Sequence, residues 1–157
     1  MGKVSLVFLE VTGGYMAILA QLAPDFKAIM EKIINEVSIA TGLTWIPVST
    51  YRSIDAQNKL YEQGRSKAGG IVTNAKGGSS AHNFALACDC APLHKGSLHE
   101  VWWDAPSGYW DAYGAFVKDN GMTWGGDFKT IHDLPHTEHP RWKEEQAKWK
   151  RGEVSLA

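Results

Sequence analysis

The run Ala85–Leu93 is apolar except for one carboxylate, that of Asp89. Its length and its small, apolar side chains predict a buried strand. A carboxylate inside such a strand is costly in free energy unless it is paired or binds a cation. The fold must therefore supply a partner for Asp89, and this requirement limits which segments can lie beside the strand.

Two histidines are candidates for that partner. His82 lies seven positions before Asp89. Because side chains alternate along a strand, this odd separation would point the two to opposite faces, so we place His82 in the loop before the strand or beyond a bulge. His136 ends the motif Asp133-Leu-Pro-His136, in which Pro135 disfavours helix at the preceding residue. We therefore predict a tight extended turn that holds Asp133 and His136 together.

Two imidazoles, one carboxylate and a second nearby carboxylate are the groups that a mononuclear zinc hydrolase needs. We predict that His82, Asp89 and His136 bind Zn²⁺ and leave one coordination position open to water. Asp133 is then the base that takes a proton from the attacking water and later passes it to the leaving amine. Two alternatives stay open: a loop histidine bonded to backbone at position 82 and a solvated turn residue at position 133.

Periodic apolar residues and turn signals predict the first elements of the fold. From Pro24 to Gly42, apolar residues recur at steps of three and four, which makes one stripe on a helix. The segment Leu43–Tyr51 is rich in β-branched and aromatic residues and predicts a strand, in which Pro47 favours an edge or a bulge. A second helix is expected over residues 54–63.

The later segments are predicted to be a loop, a helix, a last strand and a terminal helix. Residues 64–79 contain five glycines without periodicity and predict a long loop. Ser107 is expected to cap a helix that ends at Gly121. We expect residues 136–139 to form the last strand and residues 140–157 to form a charged surface helix and tail.

Size and charge limit the possible architectures and partners. A chain of 157 residues with 44% hydrophobic residues suits one compact domain, and we take residues 1–157 as a single domain with an N-terminal arm over 1–23. Sixteen basic and seventeen acidic residues give a net charge of -1, which does not favour a nucleic acid partner. No apolar run approaches the roughly 20 residues of a membrane-spanning helix, and we expect a monomer.

The order of motifs along the chain resembles the zinc peptidase family that contains D-Ala-D-Ala carboxypeptidases and phage L-alanyl-D-glutamate endopeptidases. The likeness covers about residues 24–139. The motifs that carry it are Tyr51-Arg52-Ser53, Gln57, Gly64-Arg65, Ser80-x-His82, Ala87-x-Asp89, Trp124-Gly-Gly-Asp127 and Asp133-x-Pro-His136-x-Glu138. The resemblance implies an α+β fold with a small antiparallel sheet flanked by helices and a zinc site at the edge of the sheet.

The resemblance also implies roles for individual residues. His82, Asp89 and His136 match the metal ligands, and Asp133 matches the catalytic acid and base. Arg52 matches the cation that polarises the scissile carbonyl or holds a substrate carboxylate, and a guanidinium suits either task. The alternative for Arg52 is a surface ion pair. Ser80 matches a motif residue near the metal that contacts substrate.

Other residues of these motifs have two possible uses each. Asp127 can bind a substrate amine or brace its turn. His132 precedes the base, so it can meet substrate or lie on the surface. Trp124 can line the cleft or pack in the core. Glu138 can fix an imidazole from behind or be an ordinary paired strand residue.

The chain departs from the family pattern at a few positions. Ala85 stands where a glycine is usual, so the backbone there must accept a Cβ, and Thr137 replaces an aromatic residue after the last histidine. Cys88 and Cys90 are unusual beside the aspartate. Two positions apart on a strand, they are poorly placed to bond to each other, so no disulfide framework is implied.

The resemblance implies a zinc peptidase that cuts peptidoglycan stem peptides, and the motif layout favours an endolysin that hydrolyses the L-Ala-D-Glu bond. A D-Ala-D-Ala carboxypeptidase is the near alternative, and a non-catalytic wall-binding module of the same fold is an alternative of another class. Because Glu10 interrupts the opening apolar residues, we expect a protein made in the host bacterial cytoplasm without its own signal peptide. It would act on the cell wall after release.

Overall fold

The structure, a computed structural model, describes residues 14–156. Residues 1–13 of the expected N-terminal arm lie outside the described residues, and residues 14–19 are helical. The elements that follow are α1 (Pro24–Thr41), β1 (Trp45–Ser49), α2 (Ile54–Glu62), a 3₁₀ turn (Ala81–Phe84), β2 (Ala87–Pro92), α3 (Ser107–Asp119), β3 (Thr123–Trp124), a second 3₁₀ turn (Gly125–Asp127), β4 (His136–Glu138) and α4 (Trp142–Lys150).

Four antiparallel strands form one sheet in the order β1-β2-β4-β3. The α+β fold with a small antiparallel sheet and flanking helices is thus confirmed. Buried residues of the helices and the sheet form one hydrophobic cluster, which includes Phe26, Trp45, Leu86, Trp110, Tyr113 and Trp142. Among the described residues, every helix is too short or too polar to cross a bilayer.

Helix α1 confirms the apolar stripe in the sequence. Its face toward the core carries Phe26, Met30, Ile33 and Val37, all fully buried. The helix ends at Gly42, whose φ of 68° is the left-handed conformation in which glycine carries no Cβ penalty.

Strand β1 lies at the edge of the sheet, and its register with β2 shifts between Pro47 and Ser49. The proline, which cannot donate a hydrogen bond to a neighbouring strand, predicted one or the other of these features, and the strand has both. Ser53 accepts a hydrogen bond from the amide of Ala56 and caps α2, so this helix is also confirmed.

Helix α3 begins one residue earlier than a Ser107 cap would require. Ser107 is its first residue, Pro106 occupies the capping position, and no side chain caps this end. The predicted cap is therefore wrong. A proline at that position has a restricted φ and extended ψ, which suffices to turn the chain into the helix.

The two central strands, β2 and β4, pair so that Asp89 lies opposite His136 and Cys88 lies opposite Thr137. Because side chains alternate along a strand, Thr137 and the cysteines face the core, away from Asp89. The Thr137 hydroxyl is 2.5 Å from that of Tyr113. Cys88 and Cys90 are buried free thiols with sulfur atoms 3.6 Å apart. These departures from the family pattern therefore belong to the core.

The terminal helix is present as expected over Trp142–Lys150, but one face of it is packed against the domain. Trp142 is 6% exposed and stacks on Phe84 with ring centroids 6.2 Å apart. Trp149 contacts the same phenylalanine edge-on at 6.1 Å. The helix thus covers the 3₁₀ turn that carries His82.

Candidate metal centre and its cleft

The structure brings His82, Asp89 and His136 together. His82 Nε2 lies 3.3 Å from Asp89 Oδ2, and His136 Nδ1 lies 3.1 Å from Asp89 Oδ1. One ligand atom from each of the three residues lies within 4.8 Å of the other two. Two segments that are distant in the chain, the turn before β2 and the start of β4, therefore meet at one carboxylate.

His82 is held by a short capped turn, in agreement with its expected position before the strand. The Ser80 hydroxyl accepts a hydrogen bond of 3.4 Å from the His82 amide. The His82 ring is buried, and its Nδ1 lies 2.5 Å from the carbonyl oxygen of Thr50. Since a carbonyl can only accept, Nδ1 carries a proton, and Nε2 is the nitrogen that faces Asp89.

His136 is held from the other side by Glu138, two residues further along β4. Its Nε2 lies 2.8 Å from Glu138 Oε2, and the indole Nε1 of Trp142 donates to Glu138 Oε1 over 2.9 Å. The other ring nitrogen, Nδ1, faces Asp89. Glu138 therefore fixes the imidazole of His136 from behind, which was one of its two possible uses.

The charges of these groups strongly shift their proton affinities. Burial raises the pKa of Asp89, but hydrogen bonds from His136 and His82 outweigh it and hold that pKa far below its ordinary value. Burial lowers the pKa of His136, whereas its hydrogen bonds to Asp89 and Glu138 raise it, with a net result of about 10. A cation at this centre therefore has to displace a proton from His136.

The donor set fits a zinc ion. It consists of two imidazole nitrogens and a carboxylate oxygen, which are the ligand types of catalytic zinc sites with an open position. The outer nitrogen of each imidazole is bonded to an acceptor, Thr50 in one case and Glu138 in the other. Such outer contacts fix the ring orientation and are typical of histidines that bind metals.

Asp133 lies at the open side of this cluster. Its Oδ2 is 3.9 Å from His136 Nδ1, and its side chain is 46% exposed, so water and substrate can reach it. Partial burial and the negative charge of Asp89 raise the pKa of Asp133 above its ordinary value. A carboxylate with a raised pKa is suited to taking up and releasing a proton.

The turn that carries Asp133 closes over Gly125. The Asp133 amide donates to the Gly125 carbonyl over 2.9 Å, and the His136 amide donates to the Asp133 carbonyl over 3.1 Å. The Trp124 indole donates to the carbonyl of Leu134 over 2.8 Å. The motif Trp-Gly-Gly-Asp therefore shapes the turn that holds the base and one histidine.

Arg52 also reaches the cluster. Its guanidinium Nη2 lies 4.0 Å from Asp89 Oδ2 and 3.3 Å from the Ser49 hydroxyl, while Nη1 donates to Gln57 Oε1 over 2.9 Å. Within the described part of the chain it makes no ion pair with Asp55 or Glu62, the surface acids closest to it in sequence.

A cavity of about 500 Å³ opens onto the cluster. The predicted site residues that line it are Arg52, Ser80, His82, Asp89, Asp133 and His136. Residues 72–75 of the long glycine-rich loop form one wall, and Phe128 and Lys143 form others. The loop is tied down by Gln57, whose buried amide donates to the Ala75 carbonyl over 2.8 Å.

Three other predicted site residues lie outside this lining. The Asp127 carboxylate pairs with Lys118 at 3.1 Å. His132 is exposed, with Nδ1 3.0 Å from the carbonyl of Gly126. Trp124 is 7% exposed and packs beneath the turn. In these positions Trp124 belongs to the core, and Asp127 makes a surface ion pair.

Sequence reasoning missed the role of Asn83 in assembling the site. Its buried amide donates to the Arg52 carbonyl over 2.8 Å and accepts from the Gly78 amide over 2.9 Å. It therefore connects the arginine, the glycine-rich loop and the turn that carries His82. The local sequence contains no periodic signal for this role, because its partners lie in other segments.

Comparisons with known proteins find similarity to peptidases. Residues 73–139 match the family model described as D-alanyl-D-alanine carboxypeptidase. The peptidoglycan L-alanyl-D-glutamate endopeptidase CwlK of Bacillus subtilis is 38% identical over 104 residues, which are 62% of this chain and 61% of CwlK. The family resemblance is confirmed.

Two solved structures are similar in fold to this chain. The L-Ala D-Glu endopeptidase ChiX of Serratia marcescens matches with a TM-score of 0.56 and 20% identity over 83% of this chain and 89% of ChiX. The vancomycin resistance D,D-pentapeptidase VanY, in complex with Zn(II), matches with a TM-score of 0.52 and 14% identity over 83% of this chain and 79% of VanY. The chain spans about three fifths of the length of CwlK, 61%.

Proposed function

We propose that this chain is a zinc-dependent peptidase that hydrolyses the L-Ala-D-Glu bond of peptidoglycan stem peptides. The observation that carries the proposal is the convergence of His82, Asp89 and His136 within 4.8 Å beside Asp133 in an open cavity. The relationship to CwlK, which is named for this bond, supports the choice of substrate. The Zn(II) in the VanY complex supports the choice of metal.

In this proposal His82 Nε2, Asp89 and His136 Nδ1 hold the ion. Bound Zn²⁺ supplies a Lewis acid that polarises the scissile carbonyl and acidifies water. The residues of the chain then provide orientation and proton transfer. Thr50 and Glu138 keep the two imidazoles turned toward the ion, through the hydrogen bonds described above.

Asp133 is the proposed proton carrier. Its exposure and its position beside the ligands allow it to take a proton from the attacking water and to give that proton to the leaving amine of D-Glu. Removal of this function typically costs a factor of about 10² to 10⁴ in rate. The carboxylate stands beside the ligands, so it can act on a substrate that lies in the cavity.

Arg52 and Ser80 are the proposed substrate contacts. Arg52 is directed toward the cluster by Gln57 and Ser49, and a guanidinium in that position can stabilise negative charge that develops on the scissile carbonyl or bind a substrate carboxylate. Ser80 lines the cavity next to His82 and can donate its hydroxyl proton to the peptide.

Digestion of purified peptidoglycan, followed by mass spectrometry, tests the proposal. The zinc-loaded protein is expected to release peptides with D-Glu at a new amino terminus. Asp133→Asn is the matched control, because it keeps the size of the side chain and removes the base. It should retain zinc, measured by elemental analysis, and lose hydrolysis.

One observation favours a second candidate, since the matching family model is described as D-alanyl-D-alanine carboxypeptidase. In that case the same digestion would release a single terminal D-Ala and leave the L-Ala-D-Glu bond intact. If the zinc-loaded protein binds sacculi without releasing any product, it is a wall-binding module, and the peptidase proposal is wrong.

We further propose that the protein works as a phage endolysin, which is made in the host cytoplasm and degrades the wall after release. The proposed substrate is then the intact sacculus. Addition of the zinc-loaded protein to purified sacculi should lower their turbidity, whereas Asp133→Asn should not. A protein that cleaves soluble muropeptides and leaves sacculi unchanged would contradict the lytic role.

A further inference from the structure

We propose that Glu138 and Trp142 are positioning residues for the metal centre: the indole of Trp142 holds the Glu138 carboxylate, and this carboxylate holds the imidazole of His136. The inference rests on the proposed zinc site, but it does not depend on which peptide bond is cut. It also assigns a purpose to the C-terminal helix.

The two oxygens of Glu138 have different partners. Oε2 accepts from His136 Nε2 over 2.8 Å, and Oε1 accepts from the Trp142 indole over 2.9 Å. The carboxylate is only 16% exposed, so water competes little for either oxygen. With both oxygens engaged, the plane of the carboxylate is set by donors on opposite sides, one on β4 and one on α4.

This arrangement determines which nitrogen of His136 is available. The proton on Nε2 is committed to Glu138, and Nδ1 is directed at Asp89, 3.1 Å away. Rotation of the ring would break the bond to a buried carboxylate. A carboxylate behind a histidine also makes the imidazole a stronger metal ligand.

Trp142 contacts both segments that supply histidines. Its indole nitrogen is bonded to Glu138 on the strand that begins with His136, and its ring stacks on Phe84 in the 3₁₀ turn that contains His82. Lys143 places its ammonium 3.8 Å from the centre of the indole ring. The indole is therefore packed between the domain and a cation, and its N–H direction is constrained.

Trp142 lies beyond residue 139, where the match to the family model ends. The C-terminal helix of this chain thus supplies an anchor for a group that contacts the proposed metal ligand directly. If the helix only covered the surface, its removal would change stability and leave the metal affinity of the folded protein unchanged. The proposed arrangement requires that removal of the helix changes the Zn²⁺ affinity as well as the stability.

The first test measures Zn²⁺ affinity by competition with a chelator, in the absence of any peptide. For Glu138→Ala, the dissociation constant should rise about 10- to 100-fold. For Trp142→Phe, which keeps the ring and removes the donor, it should rise roughly two- to tenfold, the value of one net hydrogen bond. Trp149→Phe is the matched control, since its indole lies on the same helix and has no hydrogen-bond partner among residues 14–156.

A double variant separates positioning from packing. The amide created by Glu138→Gln can accept from His136 with its oxygen, but its NH₂ group then faces the indole N–H, so two donors oppose each other. Adding Trp142→Phe removes this conflict. The fold-increase in the Zn²⁺ dissociation constant of the double variant should therefore be smaller than the product of the fold-increases of the two single variants.

The outcomes distinguish this inference from the proposed function. If wild type binds no Zn²⁺, both fail. If wild type binds Zn²⁺ and cleaves peptidoglycan, but Trp142→Phe matches Trp149→Phe and the double variant is additive, only the positioning inference is overturned. The visible spectrum of the Co²⁺-loaded protein is a second readout, and it should change for Glu138→Gln and stay unchanged for Trp149→Phe.

Discussion

The carbonyl oxygen of Asp133 lies against the α-carbon of Gly125. A Cβ added to Gly125 would stand 2.4 Å from that oxygen and 2.8 Å from the Cβ of His136. Both obstacles belong to the turn that carries the proposed base and one proposed ligand. The turn can approach this closely only because position 125 has no side chain.

Gly125→Ala is therefore expected to displace the turn and to lower catalysis by about 100-fold, the usual cost of moving a catalytic group by about 1 Å. It should also cost about 1–3 kcal/mol of stability through overpacking. Peptidoglycan digestion rates and thermal unfolding measure the two effects. Gly108→Ala is the control, because Gly108 is exposed in α3 with open space around it and should gain up to about 1 kcal/mol. Equal behaviour of the two variants would contradict the packing argument.

Ala85 has a φ of 57° and is the single non-glycine residue with positive φ among residues 14–156. This conformation costs an L-residue such as alanine about 1–2 kcal/mol. Glycine avoids this cost, but only part of it is gained as stability, because glycine has more conformational freedom in the unfolded chain. Ala85→Gly should therefore stabilise the protein by about 0.5–1 kcal/mol, measured by urea unfolding. Ala115→Gly, at an exposed position in α3, should instead destabilise it by about 1 kcal/mol. A loss of stability in both variants would refute strain at position 85.

Arg52→Lys tests whether the geometry of the guanidinium matters or only its charge. Lysine cannot bond to Gln57 and Ser49 at once and still face Asp89, so kcat/KM should fall by about 10²–10³ while zinc content stays the same. Arg151→Lys is the control, because Arg151 is exposed and pairs only with Glu153 in the described part of the chain. Full activity of Arg52→Lys would exclude the proposed role in charge stabilisation.

The metal-free protein should lose stability as the pH rises above 6.5. The pKa of His136 is raised from 6.5 to about 10 in the fold, so its contribution is complete below pH 6.5 and declines as the pH rises toward 10. The pKa of Asp89 is lowered, so its contribution is present above its ordinary value of 3.8 and is lost as the pH falls below that value. The free energy of unfolding should thus be highest between these limits.

Urea unfolding between pH 6.5 and 8.5 measures this decline. The range stays below 9.0, the ordinary pKa of a cysteine thiol, so that titration of Cys88 does not interfere. In the fold, the pKa of this thiol is raised by its hydrogen bond to Cys90 and by burial. His136→Asn should show a flatter curve over the same range. Zinc should also flatten the curve, because the ion replaces the proton on His136. An unchanged slope in His136→Asn would show that another group titrates.

Much of the fold follows from local patterns in the sequence. The stripe of α1, the glycine that ends it, the edge position of Pro47 and the serine that caps α2 each depend on residues within one or two turns of each other. The misplaced cap at Ser107 shows the limit of such signals, because Pro106 gives the same local outcome without a side-chain bond.

The roles of Asn83 and Gln57 could not be predicted in this way. Asn83 bonds to a carbonyl 31 positions earlier in the chain, and Gln57 bonds to one 18 positions later. A polar residue in a turn or a helix is equally compatible with exposure to solvent. Only packing of distant segments buries these amides and determines their partners.

The sequence alone determined which chemical groups are present, their order along the chain and which of them are of a type that binds zinc, because these follow from residue type. The tertiary structure decided which imidazole nitrogen faces Asp89, since this depends on acceptors at Thr50 and Glu138. It also decided that Thr137 and the cysteines face the core. Hydrogen-bond partners and strand register are relations between distant segments, and only the folded chain brings those segments into contact.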